Sequence, residues 1–339
     1  MPANKKTQEY VKNELPYKLL MSVYHDSRAS LREIGKELDI SYHVISSSLR
    51  ELEERYELIY TLDLDETKLG FTEGILITIK FGIKPSTDFI KEKIKKDFFI
   101  QSAYLAEGDF DLLLYIVGVD TADFQQWQWQ FRVSLSKYKP TLKLANVSSQ
   151  TLGFFPLRSD LIKETTLLSK SEKAVLVMLN DNSRVKLRDI VMKLKITPDR
   201  VVYIIKKLKK MGIIKRFTAL VQNPSKRIFY AYCVSLIPVE EHSKLIIDMA
   251  HAMLKEDLRE TVNDYAIVAN TNGGYDAFYL CAFKNGEDLS KRGPEMLRTA
   301  WMAEDPKIDR AVLTDIIVGK WPFHLEEYKQ YKAEIAHSK

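Results

Sequence analysis

Arg200, Lys206, Lys207 and Lys210 recur along one stretch, PDRVVYIIKKLKK, at spacings that share a helix face, and Lys215 and Arg216 follow directly. The chemistry open to such a strip is neutralisation of phosphate, because cations laid along a nucleic-acid backbone release its condensed counterions. An ordinary solvated helix face carries mixed signs. From Lys170 to Arg227 there are instead sixteen Lys or Arg against four acids (Glu172, Asp181, Asp189 and Asp199), a net of +12. With Tyr203 between them, Arg200, Lys206, Lys207 and Lys210 are the candidate groove and phosphate contacts to double-stranded DNA, supported by Lys215 and Arg216.

The elements that must position them lie in the segment from Ser171 to Phe217. Leu176, Val177 and Leu179 give a first helix an apolar face, and Leu187, Ile190, Val191 and Leu194 a second. Val201, Val202, Ile205 and Leu208 give the third its amphipathic stripe. Thr197 is placed to cap that helix, Pro198 occupies its first position, and Gly212 suits the left-handed residue after it. Three short helices and a strand make a helix-turn-helix followed by a wing.

A shift of 156 residues lays this segment on an earlier one: Arg28 falls on Arg184, Leu31-Arg32 on Leu187-Arg188, Ile34 on Ile190, Ile40 on Ile196 and Ser41 on Thr197. A period this long is a domain duplication, not a solenoid repeat. The earlier copy differs in charge. Residues 15 to 70 hold seven Lys or Arg against eleven Asp or Glu, a net of −4. Phosphate repels such a segment unless the start of its third helix makes close contacts, for which Tyr42, His43, Ser46 and Ser47 are the candidates. The second copy is therefore expected to carry most of the DNA affinity.

After each helical unit comes a β-α-β-β-α-β pattern, the ferredoxin-like order. The first set reads strand 74–83, helix 86–97, strands 98–107 and 110–119, helix 121–135 and strand 141–152. The second reads strand 228–238, helix 240–255, strands 260–271 and 275–283, helix 288–302 and strand 308–318. The third strand is entered through a turn that recurs as Gly108-Asp109-Phe110-Asp111 and Gly273-Gly274-Tyr275-Asp276. The glycines suit a tight hairpin. Asp111 and Asp276 each open a buried strand, where a carboxylate needs a partner, either in the turn or on a ligand.

The fold class expected is α+β, with two winged helix-turn-helix domains alternating with two ferredoxin-like domains. The boundaries are an N-terminal arm (1–14), helix-turn-helix units at 15–70 and 159–226, βαββαβ domains at 71–158 and 227–321, and a helical tail (322–339).

At 339 residues, 45% hydrophobic and 29% charged, the composition is that of a soluble globular protein of several domains. The longest apolar run, Leu112 to Val119, falls far short of the roughly 20 residues a membrane helix needs. The opening MPANKKTQEYVKNE lacks the apolar core of a signal peptide. Cys233 and Cys281, both on expected strands, read as buried free thiols in a reducing cytoplasm. Six scattered histidines show no metal-ligand spacing, and there is no Walker loop, dinucleotide turn or GxSxG motif, so neither cofactor nor catalytic constellation is expected. Trp127 and Trp129, two apart on one helix, face different ways, one into the core and one toward an interface.

LNDNSR (Leu179 to Arg184), LRDIVMKLKIT (Leu187 to Thr197), LKKMGIIKRF (Leu208 to Phe217) and SRASLREIGKELDIS (Ser27 to Ser41), with the GDFD and GGYD turns, resemble the Lrp/AsnC family of feast/famine transcription factors. The likeness covers nearly the whole chain, twice over, as a tandem fusion of two family units. It implies a sequence-specific DNA-binding regulator, with effector (RAM) domains that pair sheet against sheet into oligomers. It also implies an effector, usually an amino acid, bound near the Gly-Asp turn, hence at Gly108, Asp109, Asp111, Gly273, Gly274 and Asp276. Where the family usually carries Arg in mid recognition helix, this chain has Ser48 and Ile204. Its Glu after the helix's Leu survives as Glu53 but is Lys209 in the second copy, and Gly274 replaces the turn's first Asp.

Two alternatives stand beside this reading. Siroheme decarboxylases look like the same two-domain unit, some as fused pairs, with a histidine on the effector domain's second strand. The matching segments here, FFIQSAYLAEG and ETVNDYAIVANT, contain none. The other alternative is a partner protein of the same family that does not bind DNA.

Overall fold

The computed structural model describes residues 15–221, 228–235, 265–283, 285–291, 293 and 307–320. In chain order the first elements are α1 (Leu15–His25), α2 (Leu31–Leu38), α3 (Tyr42–Tyr56) and β1 (Leu58–Leu64). Then come β2 (Ile75–Phe81), α4 (Thr87–Lys95), β3 (Ile100–Gly108), β4 (Leu112–Ile116), α5 (Thr121–Leu135) and β5 (Pro140–Leu152). A short α6 (Ser159–Glu164) leads to α7 (Lys170–Asp181), α8 (Leu187–Leu194), α9 (Pro198–Lys210) and β6 (Ile214–Val221). The last strands are β7 (Ile228–Ser235), β8 (Tyr265–Gly273), β9 (Ala277–Phe283) and β10 (Lys307–Val318). The expected helix 240–255, the arm, the tail and most of 288–302 lie outside the described residues.

Two compact units result, each assembled from two separated stretches. Among the described residues the first takes 15–65 and 169–221, and the second 66–168 and 228–320.

In the first unit, local chemistry sets the helix ends. The Ser30 hydroxyl and Glu33 carboxylate form a capping box on α2, and Ser169 with Glu172 does the same on α7. Thr197 accepts from the Arg200 amide at the start of α9, Pro198 needs no amide partner there, and Gly212 follows the helix at φ 74°. Ser41 sits at the N-cap of α3 but makes no side-chain cap bond.

The buried stripe of α9 is Val201, Ile204 and Leu208, with Ile205 half-buried. Val202, expected in that stripe, is exposed, because the i, i+3, i+4, i+7 series that faces the unit starts at 201 and runs through 204.

β1 and β6 pair antiparallel, from Leu58 opposite Val221 to Leu64 opposite Ile214, and so join the two helical triads. The contacts around this ribbon come in reciprocal sets. The Ser27 amide donates to the Phe217 carbonyl (3.0 Å) and the Ser183 amide to that of Tyr60 (3.2 Å). Thr61 Oγ1 donates to the Asn180 carbonyl and Thr218 Oγ1 to that of Tyr24, both at 2.8 Å. Ser27 and Ser183 meet each other, hydroxyl to hydroxyl, at 2.5 Å. Contacts repeated with their roles exchanged are what an approximate two-fold axis produces.

The second unit is a closed antiparallel barrel in the order β10-β3-β4-β2-β5-β8-β9-β7. β5-β2-β4-β3 and β10-β7-β9-β8 are two four-stranded sheets with the same internal order. They meet edge to edge, β5 on β8 and β10 on β3, and not sheet against sheet. An open edge leaves a row of amides and carbonyls unpaired, and closure satisfies both edges at once.

α4 and α5 cover the outer face of β2, β3 and β4 through Ile90, Ile94, Trp127, Phe131 and Leu135, packed with Ile77, Ile79, Leu112 and Leu114. Trp127 thus joins the core while Trp129 stands in solvent. Inside the barrel, the Tyr275 hydroxyl lies 2.7 Å from both Thr78 Oγ1 and Asp309 Oδ2, and Lys143 pairs with Asp309, so polar bonds link the two sheets. Cys233 and Cys281 are free and buried, and burial pushes both thiols above their ordinary range.

Candidate nucleic-acid interface

Arg200 lies in the first turn of α9 with its guanidinium 5.4 Å from the centroid of the Tyr203 ring, and Tyr203 is 55% exposed. Lys206 and Lys210 continue the exposed face, and Lys215 is exposed at the start of β6. Among the described residues Arg200, Lys206 and Lys210 have no acidic partner, and Lys215 makes no direct ion pair, although it lies in the field of Asp63 beside Arg216. They form a one-signed strip open to solvent.

Two residues of the expected strip are drawn out of it. Lys207 Nζ donates to Glu172 Oε1 at 2.7 Å, and Glu172 is buried. The Lys207 bond, with the Ser169 capping bonds, outweighs burial and pulls the Glu172 carboxyl down to about 2. Arg216 donates through Nε to Asp63 Oδ2 at 2.9 Å and lies over the Tyr24 ring at 4.3 Å. Asp63 is buried, and burial raises its carboxyl above the ordinary range against the pull of Arg216. Lys207 and Arg216 hold the fold together, because a buried carboxylate binds its cation more tightly than water would allow.

The counterpart helix α3 keeps a cation at only one of these positions. The 156-residue shift sets Val44 under Arg200, Ser47 under Tyr203, Arg50 under Lys206, Glu51 under Lys207 and Glu54 under Lys210. Tyr42 is 47% exposed with its ring edge-on to His43 at 5.8 Å; His43 is exposed and Ser46 half-buried. The Ser47 hydroxyl donates to the Val44 carbonyl at 3.1 Å.

Ile204, where the resemblance implies an Arg, is buried. Glu53 is also engaged, since it accepts from the Tyr60 hydroxyl (2.5 Å) and Arg184 Nη1 (3.2 Å). At the other end of the ribbon, Lys209 and Arg28 both lie over the Phe217 ring, at 4.8 and 5.6 Å. Arg28 and Arg184, which join the triads, were not among the expected site residues, although the repeat had set them opposite one another.

The two glycine turns lie in the barrel unit. Gly108 has φ +151°, and a Cβ there would stand 2.4 Å from the Arg310 carbonyl oxygen. The Asp109 amide donates to that carbonyl and the Arg310 amide to Asp109 Oδ2, both at 2.9 Å. Asp111 accepts from the Phe81 amide at 2.9 Å, with the Lys80 and Lys84 ammoniums at 3.2 and 3.5 Å. The second turn repeats the docking through the Gly274 amide, which donates to the Leu144 carbonyl at 2.7 Å, while the Asp276 amide donates within its own sheet to the Val234 carbonyl at 2.8 Å. Each turn thereby pins its own sheet to the last strand of the other, and Asp111 finds its partners within the protein.

Among the described residues no group of His, Cys, Asp and Glu could hold a metal, and no helix is long and apolar enough to cross a membrane.

No family model matches the chain. An uncharacterized HTH-type transcriptional regulator of Pyrococcus abyssi is 31% identical over 106 residues, covering 30% of this chain and 69% of the relative. The chain belongs to the HTH-type transcriptional regulators. A second such regulator, from Pyrococcus furiosus, is 29% identical over 103 residues, with the same two coverages, 30% and 69%. Along 96% of its length this HTH-type regulator also shares the fold of siroheme decarboxylase NirDL, with a TM-score of 0.60, 13% identity and 99% of that chain covered. The same decarboxylase in complex with an iron-uroporphyrin III analogue gives a TM-score of 0.60 at 12% identity.

Proposed function

We propose that this regulator binds DNA sequence-specifically as a tandem-duplicated Lrp/AsnC-type protein, with α9 as its principal recognition helix. The observation that carries the reading is the exposed strip of Arg200, Lys206, Lys210 and Lys215, none of which makes a direct ion pair among the described residues. The reciprocal contacts about the β1–β6 ribbon and the repeated sheet order support the duplication. With Lys206, Lys210 and Lys215 on phosphate at about 0.9 each, the slope in log affinity against log salt is roughly −3.

The test is binding of the intact protein to duplex fragments, its own promoter included, across a salt series, with Lys206→Glu/Lys210→Glu as control. Steep salt dependence abolished by the control supports the reading. No binding at about 50 mM salt refutes it, and leaves the partner-protein alternative in its place. Homo-oligomerisation through the effector domains and binding of an amino-acid effector at the Gly108 and Gly273 turns belong to the same proposal. An effector there competes with Lys80 and Lys84 for Asp111, so a thermal-shift screen of amino acids with Asp111→Asn as control tests it.

The likeness in fold to a siroheme decarboxylase along almost the full chain favours a second reading, as a siroheme-decarboxylating enzyme. Neither β3 (IQSAYLAEG) nor β8 (YAIVANTNG) carries a histidine, so no imidazole comes from those strands. Mixing purified protein with siroheme and recording the Soret band decides between the two. An unshifted band supports the regulator, and a shifted one the enzyme.

A further inference from the structure

We infer that one chain reads a single, non-palindromic half-site, in which Arg200, stacked on Tyr203, takes a guanine. The inference rests on the DNA-binding reading above and goes beyond it by naming what is read and by how much of the chain.

Two helix-turn-helix triads related by an approximate two-fold axis would ordinarily read the two halves of an inverted repeat. Here the two recognition helices share a cation at one matching position, Arg50 and Lys206, and differ in chemistry at the others. α9 offers Arg200, Tyr203, Lys206 and Lys210, whereas α3 offers Val44, Ser47, Arg50 and Glu54. At the last of these an ammonium is replaced by a carboxylate, which phosphate repels. Exposed Glu51 replaces Lys207 and adds a second negative charge. The Ser47 hydroxyl is turned back onto the Val44 carbonyl.

On α9 the roles divide by depth along the helix. Lys206 and Lys210 lie in its last two turns and suit the backbone, while Arg200 and Tyr203 lie toward its N-terminus, the end that meets base edges in this motif. Arginine forks onto the O6 and N7 acceptors of guanine. Its position over the Tyr203 ring, 5.4 Å from the centroid, restrains the guanidinium before DNA arrives. Val202, exposed beside Tyr203, adds an apolar surface of the kind that meets a thymine methyl.

The test is selection of randomised duplexes by the intact protein, followed by affinity measurements on the motif recovered. A motif with a guanine and no internal inverted repeat is expected. Trimming it to about 12 base pairs, too short for two recognition helices a helical turn apart, should change affinity less than threefold. Arg200→Ala and Arg200→Lys should each lose about tenfold or more of the preference for guanine over the other bases, since lysine keeps the charge but not the fork. Arg50→Ala on α3, at the one position where that helix keeps a cation, should leave the motif unchanged.

An inverted repeat that needs both halves, or a guanine preference that survives Arg200→Ala, overturns the inference while DNA binding stands. Failure of the wild type to retain any duplex at low salt instead overturns the DNA-binding reading itself.

Discussion

Lys206 and Lys207 are adjacent in sequence and alike in chemistry, yet the structure gives them separate duties that one pair of substitutions can expose. Lys207→Met keeps the aliphatic stem and removes the ammonium from buried Glu172. The fall of that carboxyl from 4.5 to about 2 corresponds to roughly 3 kcal/mol, at 1.36 kcal/mol per tenfold change in proton affinity. The Ser169 bonds keep part of this, and Lys207, 40% exposed, is partly screened by water, so a loss of about 2 kcal/mol is expected at pH 7.

The sign of the pH dependence follows from the depressed value. Folded Glu172 stays ionised down to about 2, whereas the unfolded carboxyl takes its proton near 4.5, so the stabilisation is full above 4.5 and is lost as pH falls toward 2. Urea denaturation across that window should show wild type and Lys207→Met converging at the acid end. Lys206→Met should leave the denaturation midpoint where it is and reduce the salt slope of DNA binding by about 0.9. An unshifted midpoint for Lys207→Met, with a slope reduced as much as that of Lys206→Met, would refute the assignment.

Arg216→Met should cost about 2–3 kcal/mol by urea denaturation, because it strands buried Asp63. Asp63→Asn should cost only about 1 kcal/mol, since it removes the charge whose burial is unfavourable. Gly108→Ala should destabilise the barrel by about 2–3 kcal/mol in thermal denaturation, its Cβ facing the Arg310 carbonyl at 2.4 Å. Gly286→Ala, with nothing within 4 Å, should be neutral or mildly stabilising. Both cysteines should resist a thiol reagent in the native protein and react together once urea unfolds it.

What was legible in the chain was what short segments decide for themselves. Thr197, Pro198 and Gly212 mark the ends of α9, and the 156-residue shift superposes the two triads, although it does not say that β1 will pair with β6. The apolar runs gave most strands within two residues. What was not legible depends on partners far away in sequence. Nothing local says that the Glu172 capping box will reach over to Lys207, that Asp63 will face Arg216, or that Asp109 will bond the backbone of Arg310. Val202 is exposed for the related reason that two adjacent valines fit the same periodic stripe, and only packing against the rest of the unit chooses between them. Edge-to-edge closure of the barrel likewise depends on strand pairs more than a hundred residues apart.

That closure also orders events at the ribosome. When β5 has been synthesised, the first sheet is complete but both its edges are bare. β8 begins at Tyr265 and β10 ends at Val318, so the missing neighbours arrive only after more than a hundred further residues. At typical rates of elongation the nascent sheet waits roughly 6 to 30 s with two strands ready to pair with any other chain. Production of this protein is therefore expected to be sensitive to crowding of nascent chains and to chaperone supply, in a way its finished, edgeless barrel would not suggest.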